Sequence, residues 1–159
     1  MYRNSRERML IGIVVALAGV MLATVPAFSH CEIPCGIYGD EMRIAMMQED
    51  IATIEKSMKQ IVELSKQTKP DHNQLVRWVQ NKEQHADKIR EVVTQYFMTQ
   101  RVKPVDPKDP AGHDAYVQEL TLLHEMMVYA MKCKQTLDLA NVEQLKKLVD
   151  AFSKAYLGH

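Results

Sequence analysis

Residues 40–67, DEMRIAMMQEDIATIEKSMKQIVELSKQ, contain neither Gly nor Pro and repeat their apolar side chains at helical intervals. Met47, Ile51, Ile54, Met58 and Ile61 follow one another at spacings of four, three, four and three, which draws one apolar seam along a helix. Asp40 reads as the N-cap of a helix over Glu41–Gln67, and Lys69-Pro70 ends it. A seam of this kind needs partners to cover it, and the rest of the chain supplies three. Asp71 with Gln74 forms an Asp-x-x-Gln capping box, followed by the stripe Leu75, Val79, Ala86, Ile89, Val93 and Tyr96. Residues 103–112, KPVDPKDPAG, hold three prolines and read as non-helical. A third helix is expected from about Asp114 to Leu137, with Tyr116, Leu120, Leu123, Met127 and Ala130 inward. Asn141 with Gln144 reads as a further capping box, opening a fourth helix lined by Leu145, Leu148, Phe152 and Tyr156. Four amphipathic helices with short connections predict an all-α four-helix bundle over 40–159.

The 159 residues suffice for one domain, and 47% hydrophobic with 25% charged residues is an ordinary globular balance. Basic and acidic residues number 20 each, so no broad positive field is available for nucleic acid. The first 29 residues hold Arg3, Arg6, Arg8 and Glu7; without them 17 basic residues face 19 acidic ones.

Upstream of the bundle the character changes. A short basic stretch precedes residues 10–24, LIGIVVALAGVMLAT, and Pro26 and Ala27-x-Ser29 follow. This is the layout of a secretory signal peptide over residues 1–29, with cleavage expected between Ser29 and His30. Export to the periplasm or the medium follows, with membrane contact only through the transient leader. An uncleaved anchor and a lipoprotein signal are the alternatives; Pro26 speaks against the first, and the bulky His30 before Cys31 against the second.

Residues 30–39, HCEIPCGIYG, pack two Cys, one Pro and two Gly into a loop. A chain starting at His30 would offer a free amine, an imidazole, the backbone nitrogen of Cys31 and the thiols of Cys31 and Cys35. The amine, the amide nitrogen and the Cys31 sulfur can close two five-membered chelate rings, and Cys35 can take the fourth corner. A planar set of two nitrogens and two sulfurs suits Ni(II) or Cu(II) and fits Zn(II) poorly. A disulfide between the two thiols is the alternative in an exported protein.

His30-Cys31-x-x-Pro34-Cys35-Gly36-x-Tyr38 resembles the nickel hook of the nickel superoxide dismutases. The resemblance implies conversion of superoxide to oxygen and hydrogen peroxide, with one nickel per subunit alternating between +2 and +3. It implies His30, Cys31 and Cys35 as metal ligands, Tyr38 over the open face of the metal, and Tyr96 as a second tyrosine near the entrance. It also implies a homohexamer of four-helix subunits. The chain departs where some members hold the imidazole with a Glu on helix 1 and an Arg on helix 2: the corresponding positions are Ala45, Met46 or Met47, and Asn81. A non-catalytic nickel- or copper-binding bundle is the alternative function, and a disulfide-linked interaction protein the third. His85 and His124 lack carboxylates at ligating spacing and read as surface or satisfied interior residues, and Cys133 as a small buried apolar side chain.

Overall fold

The computed structural model describes residues 39–158. Helix α1 spans Asp40–Ser65, α2 His72–Glu91, α3 Pro110–Gln135 and α4 Leu139–Leu157. Between α2 and the α2–α3 connection, Val92–Arg101 continues as a π-helix. No strand occurs among the described residues.

All five residues of the α1 seam are buried. Asp40, expected as an N-cap, is instead the first helical residue. Gly39 takes the cap position without a side-chain hydrogen bond, at φ 75° and ψ 155°. The Asp40 carboxylate is drawn away by partners on other elements, described below. At the start of α2 the expected cap is present, with the Gln74 amide donating to Asp71 Oδ1 at 3.1 Å. The α2 stripe is buried from Ala86 through Ile89 and Val93 to Tyr96, whereas Leu75 is half-buried and Val79 exposed.

Two expected boundaries move. Residues 110–112 belong to α3, because Pro110 stands in the first helical turn, where a missing N–H costs nothing. Asp109 caps this helix by accepting from the Gly112 amide at 3.2 Å, and its carboxylate lies so close that a Cβ on residue 112 would collide with it. The cap of α4 is Asp138, which accepts from the Ala140 amide at 2.9 Å. Asn141, expected as that cap, lies inside the helix and donates to Thr136 Oγ1 at 3.1 Å.

Each helix packs on its sequence neighbours, and α4 closes the ring against α1. Bonds between Asp40 and Tyr96 and between Asp50 and His85 show α1 and α2 running antiparallel; Asp40 with Tyr156 and Gln48 with Asp150 show the same for α1 and α4. The core is aliphatic along most of its length. At one end it turns aromatic: the Phe97 ring stands edge-on to Tyr96, Phe152 and Tyr156 at centroid distances of 5.1, 4.8 and 5.5 Å. Toward the other end, buried Lys82 on α2 donates to the carbonyls of Cys133 (2.9 Å) and Lys134 in the last turn of α3. A cation there complements the helix dipole. No described helix is long and apolar enough to cross a membrane.

Candidate metal centre

The aromatic end of the bundle is where the chain enters α1 from residues 30–38. Here one carboxylate gathers three elements. Asp40 accepts from the Tyr96 hydroxyl at 2.5 Å, from Arg101 Nη2 at 2.6 Å and Nε at 3.2 Å, and from the Tyr156 hydroxyl at 2.9 Å. Burial pushes its carboxyl up, but hydrogen bonds from Arg101, Tyr96 and Tyr156 outweigh it and hold the pKa below its ordinary value. Tyr96 shows the reciprocal effect: burial and the bond to Asp40 push its phenol to about 12. The guanidinium of Arg43 lies 5.0 Å from the Tyr96 ring centroid, within cation–π range.

The π-helix makes this convergence possible. Tyr96 and Arg101 are five residues apart, which on an α-helix leaves them about 140° apart around the axis. In the π segment the bonds run over five residues: the Val102 amide reaches the Phe97 carbonyl at 2.8 Å, and the Thr99 hydroxyl reaches the Thr94 carbonyl at 2.6 Å. Wider turns bring residues five apart to one face, so both side chains reach Asp40.

Beside Tyr96 a cleft of about 420 Å³ opens between α1 and α2, lined among others by Arg43, Met46, Asp50, His85 and Lys88. His85 is a satisfied interior histidine, its Nδ1 2.5 Å from Asp50 Oδ1. Burial raises the Asp50 carboxyl despite that partner. His124 lies exposed on α3. Cys133 is fully buried, and burial pushes its thiol up to about 11.

Of the expected site residues, Tyr96 lies in the described part, 1% exposed, with its hydroxyl bonded to Asp40. His30, Cys31, Cys35 and Tyr38 lie outside the described residues. Among the described residues no group of three or more His, Cys, Asp or Glu could hold a metal ion. Sequence reasoning missed Asp40, Arg101 and Tyr156 as a cluster. Helical periodicity assigned Tyr156 to the core and Asp40 to a cap, and a five-residue spacing carries no signal at the α-helical period.

The family model of nickel-containing superoxide dismutase matches residues 24–159, hook and bundle together. The chain belongs to the nickel-containing superoxide dismutase family. Comparison with curated proteins and with solved structures found no match. Membership in the nickel-containing superoxide dismutase family makes the chain an oxidoreductase, and the all-α bundle agrees with the fold that the hook's resemblance implied.

Proposed function

We propose that the chain is exported, cut between Ser29 and His30, and disproportionates superoxide at one nickel per subunit held by His30, Cys31 and Cys35, in a homohexamer. The observation that carries this reading is the match over residues 24–159, which takes in the whole hook. The donor chemistry fits the metal: the thiolates of Cys31 and Cys35, the His30 amine and the Cys31 amide nitrogen would hold it, a set of nitrogen and sulfur donors that suits nickel. Bound there, nickel supplies one-electron exchange between +2 and +3. The chemistry balances as two superoxide anions and two protons giving one oxygen and one hydrogen peroxide.

The chain's own residues exclude, orient and anchor. His30 adds an imidazole to the donor set. Tyr38, three residues after Cys35, guides a small anion by hydrogen bonding. Tyr96 acts differently from a proton donor, because its hydroxyl already donates a hydrogen bond to Asp40 and its phenol is held near 12. It serves by packing against the bundle end and holding Asp40 in place. Cleavage is a chemical requirement in this reading, since an uncut chain turns the amine of His30 into an ordinary amide and removes one donor.

The test is to purify the exported protein from nickel-fed cells and measure intact mass, nickel content and dismutase activity together. The expected result is a mass beginning at His30, about one nickel per chain, and activity abolished by Cys31→Ser. A processed chain that stays metal-free under reducing, nickel-replete conditions overturns the proposal. Nickel bound without dismutase activity would mark the hook as a carrier instead.

A further inference from the structure

Helix α3 carries more apolar side chains than its core face has room for. Leu123, Met126, Ala130 and Cys133 are fully buried and make one stripe into the bundle. Beside that stripe, Val117, Leu120, His124, Met127 and Met131 follow one another at spacings of three, four, three and four. This is the repeat by which one helix lies along another, and a lone polar residue in such a seam sets its register. Val117 is 44% exposed and Val128, on the outer edge of the seam, 39%. His124 is exposed as well, while Leu120, Met127 and Met131 are half-buried. Beside Arg90 of α2 the surface opens as a groove of about 360 Å³, lined by His124, Met127, Val128 and Met131. Helix α4 shows the ordinary contrast: opposite its buried Leu145, Leu148 and Phe152 it turns Glu143, Lys147, Asp150 and Lys154 to water. A helix that is apolar on two faces has a second face to cover.

We propose that this seam of α3 is an interface between two copies of the chain, with the two α3 helices antiparallel across a two-fold axis. The charges along its outer edge choose the occupant and the direction. Asp114 near the start of α3 and Lys132 near its end lie about five whole turns apart, so both stand on the same edge. Among the described residues neither makes an ion pair; Lys132 rests its ammonium 4.1 Å from the Tyr129 ring centroid.

A second copy laid antiparallel brings the Asp114 edge of each chain toward the Lys132 edge of the other, so opposite charges meet at both ends of the contact. A parallel copy would set like charges together, which works against it. Glu125, between the two, meets its own copy near the axis, at an exposed rim where water screens both carboxylates. Such a pairing is isologous and closes after two copies, so it leaves no open face for unlimited growth. It takes from the function above only the expectation that the chain assembles, and it needs neither the hook nor nickel.

The test follows the particle mass of the purified exported chain by sedimentation velocity across a dilution series, with nickel content measured on the same samples. The variant Val117→Glu/Val128→Glu puts charges at exposed positions. Its circular dichroism and melting should match wild type while its particle mass halves. Asp114→Lys and Lys132→Asp should each weaken association about fivefold or more, and the double exchange Asp114→Lys/Lys132→Asp should restore it. Wild-type mass in Val117→Glu/Val128→Glu overturns the proposal, as does a wild type that stays monomeric throughout the series. A double exchange that leaves association weak overturns the antiparallel arrangement. Association at wild-type strength in a chain that takes up no nickel would remove the dismutase reading and leave this one standing.

Discussion

Asp40 carries one negative charge and receives four hydrogen bonds, two of them from a guanidinium, and charge-assisted bonds of that kind contribute about 1.5–3 kcal/mol each to a folded state. Because its folded pKa lies below the unfolded one, the stabilisation is complete above the ordinary carboxyl range and disappears as pH falls through the folded value. Asp87, held down chiefly by its hydrogen bond from Lys134, acts with the same sign. Melting temperature should therefore hold steady from neutral pH to about 5 and drop below about 4. In Asp40→Asn the starting stability is lower and the acid drop shallower, because one of the two titrating carboxylates is gone. A pH series of melting curves on both proteins checks this; parallel curves would refute it.

At the scale of elements, caps and helix type decide what was legible. The spacing of apolar residues along α1 and the Asp71 cap were readable because both follow from the α-helical repeat. The Asn141 box was misplaced by three residues, since Asp138 offers the same chemistry one turn earlier, after the break at Thr136. Replacing Asp138 by Ala should cost about 1 kcal/mol, while Asn141→Ala should stay within about 0.5 kcal/mol. Denaturant midpoints on the two variants separate the assignments. The π segment was beyond sequence reading, since nothing in the residue types of Val92–Arg101 distinguishes a wider turn and the α-helical period places Arg101 away from Tyr96. Its wider turn is visible only through bonds that skip five residues. Gly112→Ala should disturb the start of α3, because the new methyl meets the carboxylate that caps it; loss of helicity and an earlier melt are the expected readings.

For the whole molecule, the aromatic end of the bundle holds both a packed ring cluster and the Asp40 hydrogen-bond cluster. The aromatic end joins the π segment to α4 through Phe97, whose removal in Phe97→Ala should cost about 3–5 kcal/mol, measurable by chemical denaturation. A loss well below that range would mean that the neighbouring rings close over the gap. The bundle as a whole was legible because four seams must cover one another. The hook is read from sequence for a different reason, since its donors lie within six residues and need no tertiary fold to bring them together. The Asp40 cluster depends on contacts 56 to 116 residues apart and leaves no local trace.

Cys133 gives this arrangement a further meaning. A dismutase manufactures an oxidant beside its own side chains, and thiols are attacked by peroxide as thiolates. The thiol of Cys133 is wholly screened from water and held protonated up to about pH 11, so the product finds no nucleophile there. Met47, Met58 and Met126 are likewise sealed inside, while Met42 and Met46 face outward at 50% and 42% exposure. Among the described residues, oxidation of sulfur is therefore expected at Met42 and Met46 before Met47, Met58, Met126 or Cys133.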